Sequence, residues 1–359
     1  MDLRSRNITL EPPQRALLKG VGLSDEDLEL PLIGIANSFS ELSPGHIHLR
    51  TISDYVRRGI RYAGGTPLEF NTIALCDGLS GAFVRHKEAQ RYTLPHRDLI
   101  ADSVEMAIEA NQLDGLVAIG TCDKIVPGML MACARLGIPA IFVFGGSMLP
   151  GRYKGRVICG GATEMIEATG QYKAGALSKE DMDAMVENAC PTPGACGAMV
   201  TGNSMGVIAE ALGMGLPGSG TVPALDMRQL RLAELAGRSI VSLVRAGITA
   251  RDVISREAME NAIRVLCATG GSTNCILHIM AISREAGLDV DLDLIDELSR
   301  RTPHLCPLIP SGEFSVPEFH DAGGVQGVMK RLAPLLHLDC MTVTGETLGK
   351  NLERAEVRD

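Results

Sequence analysis

The sequence predicts an α/β protein: a three-layer α/β/α arrangement with a parallel sheet and a substantial further helical part. Three observations predict it. Short apolar runs alternate with amphipathic stretches from residue 32 to residue 144, the pattern of βαβ units. Beyond residue 178 the pattern becomes mostly helical. The composition holds 40 glycines among 359 residues but only 3% aromatics and no tryptophan. Such a chain builds an aliphatic core with many turns, unlike an aromatic-rich β-sandwich.

The elements follow in order. Arg15 to Val21 is a short amphipathic piece, and Asp25 to Glu29 is an acidic stretch. Leu32 to Ala36 is a buried strand ending at Asn37. Arg50 to Ala63 is a helix stopped by Gly64-Gly65 and Pro67. Phe70 to Leu75 is a second strand running straight into Cys76-Asp77-Gly78. A helix over Asp98 to Ala110 leads to the strand Gly115 to Gly120, which runs into Thr121-Cys122-Asp123-Lys124. The helix Met129 to Leu136 and the strand Ala140 to Phe144 complete a βαβ unit, for which a right-handed crossover is the rule.

In parallel sheets ligands sit beyond the carboxyl ends of the strands, so two strand ends deliver the same Cys-Asp pair to one rim. Between helical stretches from Ser178 to Gly213 lies the loop Cys190 to Gly197. Further helices are expected over Met227 to Ala246, Ser255 to Leu266, Cys275 to Ala286 and Leu292 to Arg300. Thr302 to Pro317 is Pro-rich and reads as a long loop.

The bulk properties exclude several classes. Hydrophobic content of 45% and charged content of 21% describe an ordinary soluble globular chain, long enough for one large or two modest domains. A formal net charge of −9 lacks the basic footprint of a nucleic-acid binder. No apolar run approaches the roughly 20 residues that span a membrane. Met1 to Leu10 is polar and charged, which does not suit a secretory signal. Ten cysteines without a small-scaffold spacing pattern point to a reducing cytoplasm.

Cys122, Asp123 and Lys124 set a soft ligand, a hard ligand and an amine side by side. Thiolates suit iron or zinc and carboxylates suit magnesium, so one loop carrying both suggests two metals at one substrate. Cys76, Cys122 and Cys196 stand out by context: three thiolates from three loops can hold an iron–sulfur cluster with one iron open as a Lewis acid. On spacing alone, three unrelated buried thiols is the weightier reading, because no compact CxxC pattern is present. Cys190 is the substitute candidate.

Asp77 and Asp123 are the hard-ligand pair for Mg²⁺, against the alternative that they only close turns. Lys124 either neutralises that pair or contacts substrate, against a plain solvated charge. Gly270-Gly271-Ser272-Thr273-Asn274 offers an anion nest or a tight-turn helix cap with equal weight. His46 and His48 would point to opposite sides of an extended segment, each more simply a hydrogen-bonded structural residue. Gly213-Met214-Gly215-Leu216-Pro217-Gly218 matches GxGxxG on paper but follows a helix and contains Pro, so a dinucleotide site is rejected.

Taken together, Cys122-Asp123-Lys124 with Pro127-Gly128-Met129, the Cys190–Cys196-Gly197 loop and Gly270–Asn274 resemble the dihydroxy-acid dehydratase and phosphogluconate dehydratase family. Resembling segments cover most of the chain. The resemblance implies a hydro-lyase that turns a 2,3-dihydroxy carboxylic acid into a 2-oxo acid, with an iron–sulfur cluster as Lewis acid and Mg²⁺ holding the substrate. It implies Cys122 and Cys196 as cluster ligands, Asp77 and Asp123 as magnesium ligands, and Lys124 as a lysine carbamylated in family members. Many members supply a cluster cysteine where this chain has Gly45; others carry one immediately before the first magnesium aspartate, as Cys76 stands here. Cys76 is therefore assigned as third ligand, which favours [4Fe-4S] and leaves [2Fe-2S] open.

Two other departures stand out. Leu79 to Gln90 does not resemble the family's Gly-His-Gly-Met-like loop. The chain ends near Thr344 to Gly349, where the family joins a β-barrel-like second domain carrying a serine base and a further acidic magnesium ligand. The expectation is thus an N-terminal domain, 1–340, bearing the cluster and magnesium, with 341–359 starting the join to an absent domain. Alone it would be inactive, working as a homo-oligomer or with a separate partner that supplies the C-terminal domain. A non-catalytic metal- or ligand-binding module acting with a partner is the alternative. An electron-transfer protein is weaker still, since neither an open iron site nor the Asp pair serves that role. Branched-chain and sugar-acid substrates are both open, Pro44 to Leu49 leaning weakly to the former.

Overall fold

The structure, a computed structural model, describes residues 3–81, 87–160 and 164–359. Part of the divergent Leu79–Gln90 stretch, residues 82–86, lies outside the described residues. Four parallel strands form the central sheet: β1 (Leu32–Asn37), β2 (Thr66–Asn71), β3 (Gly115–Gly120) and β4 (Ala140–Phe144). Their order is β2-β1-β3-β4. β1, β3 and β4 are buried along their whole length, as expected of strands covered on both faces.

Helix α1 (Leu49–Tyr62) joins β1 to β2, α2 (Pro95–Ala110) leads to β3, and α3 (Ile125–Leu136) connects β3 to β4. α2 and α3 pack together, while α1 packs along a helix from far later in the chain. The helical part comprises α4 (Thr201–Ala211), α5 (Met227–Ala246), α6 (Arg256–Ala268) and α7 (Asn274–Glu285), with shorter helices after them. α5 lies on α1, β3 and β4. Gly59 of α1 and Gly237 of α5 permit this: a Cβ on Gly59 would strike the Glu234 carbonyl, and one on Gly237 the Val56 carbonyl. Backbone meets backbone there.

The expected α/β/α architecture is present, but three boundaries differ. β2 spans Thr66–Asn71 rather than 70–75, pairing Leu32 with Thr66 and Asn37 with Asn71. It is an edge strand, so Pro67, which lacks an N–H, costs no ladder bond on its open side. Thr72 then donates to the Asn37 carbonyl, and an irregular stretch precedes Cys76. Cys76-Asp77 therefore does not directly follow a strand, contrary to the sequence reading, whereas Cys122-Asp123 does. α2 begins at Pro95 and α3 at Ile125, each earlier than expected. Both carry Pro in the first turn, where the missing N–H would have been unpaired anyway.

The segment Pro44–His48 is a turn, not an extended piece, so His46 and His48 do not alternate. The Gly213–Gly218 loop holds no dinucleotide geometry: the N–H groups of Gly218 and Gly220 donate to the buried Glu210 carboxylate at 2.7 and 2.6 Å. Residues 341–353 pack back onto the body. Val343 is fully buried, its N–H bonded to the Gly213 carbonyl, and a short helix, Leu348–Glu353, follows. No helix among the described residues is long and apolar enough to cross a membrane.

Candidate functional site

Strand order reverses between β1 and β3, so the chain leaves these two neighbours in opposite directions and opens a crevice at their carboxyl ends. The loops after β1 and β3 meet there through His46. Its Nδ1–H donates to the Ser38 carbonyl at 2.8 Å, and its Nε2 accepts the Cys122 N–H at 3.3 Å. Ser38 in turn donates its hydroxyl to the Ile119 carbonyl at 2.8 Å. This pattern requires a neutral imidazole, and burial, the largest cause, pushes the His46 pKa down to about 4. Both histidines take structural hydrogen-bonding roles; His48 Nε2 donates to the Gly145 carbonyl at 2.7 Å.

Cys122 sits directly against Gly45, where a Cβ would collide with its sulfur. Burial pushes the Cys122 thiol well up, reinforced by the nearby Cys76, Asp123 and Cys196. Cys196, from the Cys190–Gly197 loop, is pushed up to about 12 by burial and then by Asp123, Cys76 and Cys190. Cys76 thus lies near enough to both Cys122 and Cys196 to oppose their ionisation.

Lys124 is the N-cap residue of α3. It is buried rather than solvated, and its ammonium pairs with Asp77 Oδ2. The other oxygen of Asp77, Oδ1, is buried without a partner. The Asp123 carboxyl is raised to about 6 by burial and by Asp77, partly offset by Lys124 and by the backbone N–H of Gly202 at the start of α4. Among the described residues no three His, Cys, Asp or Glu side chains are drawn together at metal-ligating distance. The donor set nonetheless fits cations: sulfur on one side, carboxylate oxygen on the other, one oxygen orphaned, and a single ammonium as counter-charge.

Sequence reasoning missed several residues around this rim. His96 of α2 and His278 of α7 are buried close enough to Lys124 to feel its charge; burial lowers both, His278 to about 3. Arg97 reaches the His278 ring at 3.4 Å. Cys275, fully buried, lies near Asp123. The one local signal was a histidine on otherwise apolar helical faces, which carries no direction.

The Gly270–Asn274 segment is a tight turn leading into α7, and its N-cap residue Thr273 makes no side-chain cap. The N–H groups of Gly270, Gly271, Ser272, Asn274 and Cys275 all donate within the protein. Ser272 and Asn274 bond the Thr201 hydroxyl at 2.9 and 3.1 Å, tying the start of α7 to the start of α4.

Comparison with known proteins places these features in context. The profile of the dihydroxy-acid/6-phosphogluconate dehydratase N-terminal family matches residues 30–351. A dihydroxy-acid dehydratase of Pyrococcus furiosus is 51% identical over 347 residues, covering 96% of this chain and 62% of that protein. One from Caldanaerobacter subterraneus is 50% identical over 353 residues, covering 97% of this chain and 62% of its own length. One from Syntrophobacter fumaroxidans is 49% identical over 360 residues, covering the whole chain and 63% of the relative. The chain therefore spans somewhat under two thirds of the relatives it matches.

Proposed function

Because this chain belongs to the dihydroxy-acid/6-phosphogluconate dehydratase family, we propose that it carries the cofactor-holding part of a hydro-lyase converting a 2,3-dihydroxy carboxylic acid to a 2-oxo acid. What supports this reading is that Cys122 lies near Cys76, Cys196 and Asp123, and Asp123 near the Asp77–Lys124 pair, on the loops at the switch point of the sheet. When bound there, an iron–sulfur cluster with one open iron would supply Lewis acidity at the leaving hydroxyl, and Mg²⁺ would hold the substrate's carboxylate and 2-hydroxyl.

The chain's own residues divide the work. Cys76, Cys122 and Cys196 are the sulfur donors, and ionisation of their thiols must be supported by the cations they bind. Asp77 and Asp123 are the oxygen donors, Asp77 with a free oxygen already turned from its lysine. In the ammonium form Lys124 orients Asp77; as a carbamate it would present a further oxygen at the same place. His46 fixes the backbone of Cys122, which sets where the sulfur points. None of these residues is assigned as the general base. Residues 1–340 are read as the cofactor-bearing domain and 341–359 as the start of the join, in a cytoplasmic, oligomeric enzyme. A [4Fe-4S] cluster is favoured over [2Fe-2S].

Anaerobic reconstitution with iron and sulfide tests this. Cluster absorbance and bound iron should appear in the native chain and vanish in Cys122→Ser and Cys196→Ser, with Cys76→Ser deciding the third ligand. Iron uptake unchanged in all three would overturn the assignment. Dehydration of 2,3-dihydroxyisovalerate and of aldonic acids, assayed with and without a complementary C-terminal domain, separates substrate class from completeness. Turnover by this chain alone would overturn the need for a second domain.

A further inference from the structure

On the side of the protein formed by α5 and the C-terminal residues lies a cavity of about 660 Å³, within the size range of small-molecule sites. None of its lining residues belongs to the metal centre described above. Four arginines line it, Arg228, Arg231, Arg354 and Arg358, against one carboxylate, Glu356. In a chain of net charge −9 that is a local reversal of sign. Low-dielectric walls sharpen such a field inside a cleft.

The arginines are not equivalent. Arg228 is held by Asp226 at 2.5 Å, Arg354 by both oxygens of Glu346 at 2.7 and 3.0 Å, and Arg358 by Glu356 at 3.3 Å. Arg231 has no ion-pair or hydrogen-bond partner among the described residues. It also lies early in α5, a helix whose first turn contains no acidic residue. The Asp226 carboxylate caps this helix end and holds Arg228, so the guanidinium left for a ligand is that of Arg231. An anion in the cavity would be favoured by that guanidinium fork.

The other wall is apolar: Leu216, Val222, Leu232 and Leu235 line the cavity beside the Thr221–His320 pair, whose side chains meet at 3.0 Å. Leu235 is 48% exposed, an apolar surface facing the opening. A fully hydrated inorganic ion would leave that wall unused.

We propose that this cavity binds a small organic anion, one carboxylate or phosphate head on an apolar body, with Arg231 as the principal head-group contact. Isothermal titration calorimetry on the full chain tests it, with hexanoate, hexyl phosphate, acetate, inorganic phosphate and hexanol as probes. One saturable site with Kd at or below about 1 mM is expected for hexanoate, hexyl phosphate or both, at least roughly tenfold tighter than for acetate, inorganic phosphate or hexanol. Binding of one amphiphile alone identifies the head group, and equal binding of both shows that charge suffices. Arg231→Ala should weaken binding by roughly tenfold or more, and Arg231→Lys by less, since a point charge cannot make the fork. Arg300→Ala, at an exposed residue that does not line the cavity, should change nothing. The proposal is overturned if neither amphiphile saturates, if Arg231→Ala binds like the native chain, or if inorganic phosphate binds as well as hexyl phosphate.

Discussion

Asp123 and Glu210 are both buried carboxylates whose pKa burial raises, yet they sit in opposite surroundings. Glu210 accepts from Gly218 N–H, Gly220 N–H and Gln326 Nε2 at 2.6–2.7 Å, and these hydrogen bonds pull against the rise that burial causes. Its lone pairs are spent on holding a glycine loop. Asp123 faces Asp77, with ionisable thiols beside it and one lysine shared among them. Burial alone does not make a carboxylate a candidate ligand; Asp123 is a candidate because it is buried among like charges, a deficit that a cation would remove and the folded chain does not.

The largest expected effect breaks the contrast from the metal side. Cys122→Ser should reduce reconstituted iron to background, and in a complete enzyme lower turnover at least about 100-fold, the upper end for supporting-shell changes. Glu210→Ala should do the reverse: urea unfolding should show a loss of about 3 kcal/mol, from orphaned buried N–H donors, with iron uptake unchanged. Loss of iron in Glu210→Ala would mean that the two regions are one. Asp123→Asn removes a crowded charge, so it should stabilise the metal-free chain by about 1 kcal/mol while weakening magnesium binding, read by thermal unfolding with and without Mg²⁺.

The smallest effect is the pH dependence contributed by Glu210. Its folded pKa lies above the ordinary 4.5, so the folded state holds its proton more tightly than the unfolded state. Its contribution to stability is full below 4.5 and is lost as pH rises through the elevated folded value. Unfolding free energies of the native chain and Glu210→Gln across that window should therefore differ in slope. Parallel curves would show that the three donors cancel burial, and a slope difference of the opposite sign that they outweigh it.

Much of the fold was legible because periodicity is local. β3, β4, α5 and Leu292–Arg300 coincide with the sequence reading. Prolines caused the misplacements: Pro95 and Pro127 open helices that the reading began after them, and Pro67 sits inside an edge strand that it seemed to exclude. That Cys122-Asp123-Lys124 lies at the carboxyl end of a strand was legible, because the apolar run before it announces β3. That Lys124 is buried against Asp77, or that Gly45 abuts the Cys122 sulfur, depends on loops 47 and 77 residues apart meeting in space. Glu210 was invisible for the same reason, since a glutamate in a helix interior looks like any solvated one.

The contact between Gly59 and Gly237 also bears on how the protein is made. The sheet and its own helices are complete by residue 144, but the helix that lies on α1, β3 and β4 is only synthesised by residue 246. At roughly 5–20 residues per second the ribosome takes several seconds to cover that interval. Throughout it, an aliphatic sheet surface waits for a cover about a hundred residues downstream, and the non-local pairing must pay its loop-closure entropy before it gains any contact. The interface that the two glycines make tight therefore forms late, because α5 lies so far along the chain, and the nascent chain depends on whatever shields that surface until α5 arrives.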